Sequence, residues 1–233
     1  MSGAWPRFLP QGDAALVVEF GAAIDAATNA RVLALAEVLT RAPVAGVVAT
    51  VPTFRSLLLQ YDPLVRDFAD LVAEMRALFA ALPDHAPPSR SVSLPVCYAA
   101  ELAPDLADIA ARLGLSAQAA AGLHAAAEYR VYMLGFLPGF AYMGGLPERL
   151  RLPRRATPRV RVPPRSVAIA MEMTAIYPLE SPGGWHLIGA APVRLFDLAA
   201  DPPTLLRPGD LVRFRAVGRT EYDDLAAAAG LPT

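Results

Sequence analysis

Twelve of the chain's 23 prolines fall between Pro138 and Pro208, and that density decides what the second half can become. A proline inside a helix removes a backbone hydrogen bond and clashes with the preceding turn, at a cost of about 3 kcal/mol. Long helices are therefore excluded there. Between the prolines lie short runs such as Ser166-Val167-Ala168-Ile169-Ala170 and Leu211-Val212-Arg213-Phe214-Arg215. Short strands joined by structured loops follow, closing into a compact β-barrel or sandwich.

The first half has a different texture. Residues 14–20 read as a strand, and residues 26–40 as a helix with Val32, Leu35, Ala36 and Leu39 on one face and Asp25 as its cap. Residues 46–51 and 56–61 are β-rich. Asp62-Pro63 predicts a cap with proline in the first turn of a helix, and Leu64, Phe68, Leu71, Val72, Met75, Leu78, Phe79 and Leu82 follow at helical spacing. Residues 83–89, with Pro87-Pro88, read as a linker. Val92, Leu94 and Val96 alternate with polar or proline positions, as in a half-buried strand. Counted through that strand the order is βαββαβ, a ferredoxin-like arrangement, although the last strand can equally open a second domain. Two short helices are expected next, one at 104–113 ended by Gly114, the other at 117–126 capped by Ser116. The expected organisation is α+β, a small domain over residues 1–88 and a barrel over 89–233.

With 233 residues and 55% hydrophobic content the chain can bury a sizeable core. Its net charge of −1 gives no pull toward nucleic acid or anionic membrane, and no apolar run is long enough to span a bilayer. Cys97 is the only cysteine, and the first residues lack the features of a signal peptide, so a cytoplasmic location is expected. The chain contains no lysine. That excludes a P-loop lysine, a Schiff-base lysine and a lysine general base.

Glycine, proline and aromatic residues crowd the run from Gly135-Phe136-Leu137-Pro138-Gly139-Phe140-Ala141-Tyr142 to Ser181-Pro182-Gly183-Gly184-Trp185-His186. Stiff turns of this kind present rings and backbone amides as a shaped surface. Two successive glycines leave N–H groups open to an anion or carbonyl, and Trp185 can wall the pocket; a plain turn fits the same residues. Arg207-Pro208-Gly209-Asp210 reads as a turn into the last strand. Arg149, Arg151, Arg154, Arg155, Arg159, Arg161 and Arg165 form a basic cluster, able to grip a carboxylate or to guard a strand edge. His124 and Glu128, at i and i+4, can form an acid/base pair on a helix, or His124 can be structural. His85, His124 and His186 lack metal-ligand spacing, so no metal site is expected.

Several stretches carry a family resemblance: Phe8-Leu9-Pro10-Gln11-Gly12-Asp13, Arg55-Ser56-Leu57, Pro95-Val96-Cys97-Tyr98, Pro104-Asp105-Leu106, the run 129–142, Pro153-Arg154-Arg155, Thr157-Pro158-Arg159 and the run 181–185. In these the chain resembles the family of 5-oxoprolinase B subunits, also described as allophanate hydrolase subunit 1 or KipI-like. The resemblance implies a small α/β domain followed by a cyclophilin-like barrel. It also implies partners, an A-type and a KipA-like C-type subunit, with which such chains open 5-oxoproline to glutamate at the expense of ATP. Relatives of the same kind inhibit a sensor histidine kinase or act in urea and allophanate metabolism.

Under that resemblance a lactam or amide substrate is expected against Gly135, Phe136, Pro138, Gly139, Tyr142, Thr174, Tyr177, Ser181, Pro182, Gly183, Gly184 and Trp185. Arg159 would hold its carboxylate, His124 and Glu128 would do acid/base work, and ATP would be handled with the partner subunits. The chain departs from the family pattern at Met173, where glutamine is usual, at Ala175, where glycine is usual, at Ala190 and Ala191, where arginine and threonine are usual, and at Pro164-Arg165, where small residues are usual.

Overall fold

The computed structural model describes residues 5–82 and 89–231. It divides into two compact units, residues 1–88 and 89–233. The expected linker and His85 lie largely outside the described residues.

The first unit is a four-stranded antiparallel sheet, β1 (Arg7–Pro10), β2 (Ala15–Glu19), β3 (Val47–Pro52) and β4 (Ser56–Tyr61), with helices α1 (Ala26–Arg41) and α2 (Phe68–Ala80). The spatial order is β1-β2-β4-β3. Period-two alternation puts Leu16 and Val18 of β2 opposite Leu59 and Leu57 of β4, so all four share one buried face. Val32, Leu35 and Leu39 from α1 and Leu71 and Met75 from α2 pack on it. Asp25 caps α1 as expected, accepting from the Thr28 N–H at 2.8 Å. Helix α2 starts later than Asp62-Pro63 predicted. Asp62 instead closes a turn, accepting from Leu64 N–H at 2.9 Å, and Asp67 caps the helix through Ala69 N–H at 2.7 Å. Leu64 is 95% exposed, so it belongs to that turn rather than to the apolar face.

The βαββαβ count is corrected at both ends. Its sixth element, β5 (Ser91–Cys97), pairs within the second unit, and the unpredicted strand β1 takes the sheet edge beside β2. Phe8-Leu9-Pro10 is short and ends in proline, which masks an edge strand in the sequence.

The second unit contains helices α3 (Leu106–Arg112), α4 (Ala117–Ala126) and α5 (Arg219–Ala228) and strands β6 (Glu128–Leu134), β7 (Ala141–Gly144), β8 (Arg159–Val162), β9 (Ser166–Ala170), β10 (Met173–Ile176), β11 (Ser181–Gly183), β12 (His186–Ala190) and β13 (Leu211–Val217). Seven strands close a barrel in the order β10-β7-β6-β13-β5-β12-β9. This fits the cyclophilin-like barrel expected. All neighbours are antiparallel except β5 and β13, which run parallel. Gly209, at φ +93°, supplies the turn that feeds β13, as the Pro208-Gly209 pair predicted. Val131, Met143, Val167, Ile169, Ile176, Val212 and Phe214 fill the barrel, with Ile109 and Ala120 from the helices.

Strand β9 is buried along its whole length. Val167 and Ile169 face the barrel core, while Ala168 and Ala170 belong to a second cluster with Phe140, Val162, Tyr177, Trp185 and Leu187. That outer cluster is the floor on which the candidate site is built.

Candidate functional site

Beyond β6 the chain turns tightly. Leu137 N–H donates to Gly135 O at 2.8 Å, Phe140 N–H to Leu137 O at 3.0 Å and Gly135 N–H to Phe140 O at 3.1 Å. Phe136 is held at φ +69°, a left-handed conformation uncommon for a bulky residue. Gly139 is required in the same loop: its φ is +81°, and a Cβ would lie 2.9 Å from Leu195 O. The result is an aromatic nest. Buried Phe140 meets Phe136, Tyr142, Tyr177 and Trp185 edge-on, with ring centroids 4.9 to 5.9 Å apart. Phe136 is 58% exposed and stands at the rim.

The facing wall is the ribbon of β8 and β11. Gly183 pairs with Arg159, and the Gly184 carbonyl accepts from Arg155 N–H at 2.8 Å. Gly183 lies so close to Tyr177 that a Cβ would sit 2.3 Å from its hydroxyl. The Trp185 backbone amide near that hydroxyl opposes the rise that burial gives it. Between the walls lies a cavity of about 280 Å³, bordered also by Arg154, Pro158 and Pro182. Burial raises the Tyr142 and Tyr177 hydroxyls above their ordinary range, with the nearby Arg154 guanidinium pulling the other way. Both phenols stay protonated at neutral pH.

Beneath the ribbon sits Asp105, which is buried. Its carboxylate accepts from both Arg159 nitrogens, Nη1 at 2.8 Å and Nη2 at 2.7 Å, from Arg155 Nη1 at 3.0 Å and from Leu187 N–H at 2.7 Å. Burial would raise this carboxyl; the hydrogen bonds from Arg159 and Leu187 outweigh it and hold the group below its ordinary range.

Of the residues expected from sequence, Phe136, Tyr142, Tyr177, Pro182, Gly183, Gly184 and Trp185 meet around this one cavity. Gly135, Pro138 and Gly139 shape the adjoining loop. Ser181 is buried at the start of β11, and its hydroxyl has no hydrogen-bond partner among the described residues.

Four expectations are corrected. Arg159 does not border the cavity; Asp105 takes its guanidinium bidentately. Thr174 faces the barrel core, where its hydroxyl bonds Ala168 O at 3.0 Å. His124 is fully buried, with Nδ1 2.8 Å from the Tyr98 hydroxyl and Nε2 2.9 Å from Thr174 Oγ1. Glu128 is not its helical neighbour. Helix α4 ends at Ala126, and Glu128 opens β6 with its carboxylate 2.9 Å from Arg213 Nη2.

The structure adds Phe140, Arg154, Pro158 and Asp105. Phe140 and Pro158 stand inside motifs that the sequence already singles out, and Arg154 inside the arginine cluster. Asp105 carries no local signal beyond its place in Pro104-Asp105-Leu106, because its partners lie about fifty residues downstream. His186 is also structural, its Nε2 donating to Pro153 O at 2.9 Å. Among the described residues no three His, Cys, Asp or Glu side chains gather as a metal site would require. None of the described helices is long and apolar enough to cross a membrane.

A family model described as carboxyltransferase domain, subdomain C and D, matches residues 6–206. The chain is 37% identical to the B subunit of 5-oxoprolinase from Bacillus subtilis (strain 168), over 91% of this chain and 92% of that protein. It is 41% identical to the corresponding B subunit from Escherichia coli O157:H7, over 87% of this chain and 92% of that one. Among solved structures it is similar to TTHA0988, with a TM-score of 0.79 at 43% identity, covering 87% of this chain. The chain spans only 40% of that larger molecule. The Kluyveromyces lactis urea carboxylase aligns with a TM-score of 0.76 at 20% identity, over 95% of this chain and 22% of that one, a likeness of fold alone.

Proposed function

The chain belongs to the carboxyltransferase-domain family, subdomains C and D, whose curated relatives are named as 5-oxoprolinase B subunits, and from that premise we propose that it serves as one subunit of an ATP-dependent lactam hydrolase that opens 5-oxoproline to glutamate. The observation that carries this reading is the cavity of about 280 Å³ between the aromatic nest and the Gly183-Gly184 wall. Its size suits a five-membered ring with one substituent, and it offers flat faces for the ring and polar groups for the carbonyl.

In this reading the ring lies against Tyr142 and Trp185, and the lactam oxygen faces the Gly183-Gly184 backbone. A backbone donor placed where negative charge develops stabilises the tetrahedral state more than the planar amide. The Tyr177 hydroxyl, which also borders the cavity, is a second donor at the same wall. His124 and Glu128 stand outside this chemistry. His124 already has both ring nitrogens committed in the core, and Glu128 is engaged with Arg213 on a strand.

A lysine-free chain fits a division of labour in which partner subunits of the A and C type handle ATP. Reconstitution tests this. The three subunits together are expected to consume 5-oxoproline and ATP, and leaving this chain out is expected to abolish turnover. Equal turnover without it rules the proposal out.

A further inference from the structure

Of the three arginines Arg154, Arg155 and Arg159, two meet the buried carboxylate of Asp105, and the third, Arg154, borders the cavity. Asp105 neutralises two of the three in part: it is bidentate to Arg159 and bonded to Arg155. Arg154 has no ion pair among the described residues and borders the cavity. Its backbone is nonetheless fixed on both sides. Pro153 is held through its carbonyl by His186, and Arg155 through its N–H by the Gly184 carbonyl and through its side chain by Asp105. A guanidinium on a pinned backbone, beside neutral phenols and without a counter-ion, is arranged to receive an anion from outside the chain.

We infer that Arg154 is the specificity-determining residue of this pocket, receiving the carboxylate of a small planar ring compound, while Asp105 withholds Arg155 and Arg159 from that role. The inference rests on the reading of the cavity as the substrate site, and it adds to it the residue that tells a ring carboxylate from a neutral lactam or amide. The planar fork of arginine suits such a group because two parallel N–H donors meet two oxygens. Arg154 and the Gly183-Gly184 wall both border the cavity, so a ring carboxylate there can meet a side-chain cation and backbone at once.

The test measures equilibrium binding to the reconstituted complex without nucleotide. Four probes are used: 5-oxoproline, its carboxamide, 2-pyrrolidinone and benzoate. The wild-type protein is expected to favour 5-oxoproline over the two uncharged lactams by about 10- to 100-fold, the worth of one charge-assisted contact. Arg154→Met is expected to erase that preference without changing the melting temperature, since the side chain is exposed and holds nothing together. Arg154→Lys, which keeps the charge and loses the fork, is expected to fall between.

No preference in the wild type, no binding of either carboxylate, or a preference that survives Arg154→Met each overturns the inference. So does a variant that weakens assembly with the partner subunits while leaving ligand preference intact, because the guanidinium would then face a protein carboxylate. Arg154-dependent binding of 5-oxoproline or benzoate in a complex that does not open the lactam would refute the proposed activity and leave the carboxylate site standing.

Discussion

The His124 Nε2 atom lies 2.9 Å from Thr174 Oγ1, and that contact fixes the protonation of a fully buried imidazole. Thr174 spends its only proton on Ala168 O, so it accepts from His124 and the ring proton sits on Nε2. Nδ1 is then the acceptor for the Tyr98 hydroxyl. Phe214 stacks on the ring at 4.8 Å, and Tyr129 packs beside it. The titratable groups facing it are therefore two tyrosines, both raised by burial and both neutral.

Burial depresses His124 from an ordinary 6.5 to about 3. The unfolded chain therefore binds a proton that the folded chain refuses. The stability from this site is whole above pH 6.5 and drains away as pH falls toward 3. Denaturant melts between pH 7 and pH 4 are expected to show a slope approaching about 1.4 kcal/mol per pH unit beyond that of a His124→Asn variant. Equal slopes would mean the ring is solvated.

The two glycines of the ribbon are expected to behave differently. Gly183→Ala drives a Cβ to 2.3 Å from the Tyr177 hydroxyl, so a loss of about 1 to 3 kcal/mol is expected. Gly184→Ala meets only Pro158, at 3.7 Å, and is expected to melt within about 0.5 kcal/mol of wild type. Parallel urea titrations of the two variants decide the matter.

Asp105→Ala removes the carboxylate that Arg155 and Arg159 share, and leaves the Leu187 N–H without its acceptor. A loss of about 3 kcal/mol is expected, close to the cost of breaking a buried pair. Asp105→Asn keeps one acceptor and is expected to recover part of it. Thermal unfolding of the two variants side by side provides the check.

Gly122 is interior to α4, and a Cβ there would meet nothing within 4 Å. Gly122→Ala is therefore expected to stabilise the protein by about 0.5 to 1 kcal/mol, since alanine loses less backbone freedom on entering a helix. An unchanged or lowered denaturation midpoint would contradict this.

Much of the scaffold is readable because its signals are local. Asp25 announces the start of α1, Ser116 that of α4, and the prolines between Pro138 and Pro208 leave no room for a long helix. What escapes depends on distance. Strand β1 exists because it pairs with β2, and the strand at Val92-Leu94-Val96 joins the barrel because β13 arrives beside it. The site divides the same way. The rings and glycines of 136–142 and 181–185 are legible as a surface, since stiffness and aromaticity are written in the motif. The fate of Arg159 is not, because nothing near it in sequence shows that Asp105, 54 residues earlier, would claim it. His124 and Glu128 fail as a pair for a simpler reason: the helix that would have aligned them stops between them.

The parallel junction of β5 and β13 sets an order of events during synthesis. It joins residues as distant as Arg90 and Asp210, 120 positions apart, whose side chains clasp where the two strands begin. The sheet of the first unit is complete once Tyr61 has been made, whereas the barrel waits for the last of the described strands. A chain halted on the ribosome before residue 211 would carry a finished first unit and an unclosed second one, with β5 exposing the edge that β13 later covers. Truncations from the C-terminal side should therefore show a sharp threshold in solubility as β13 is lost.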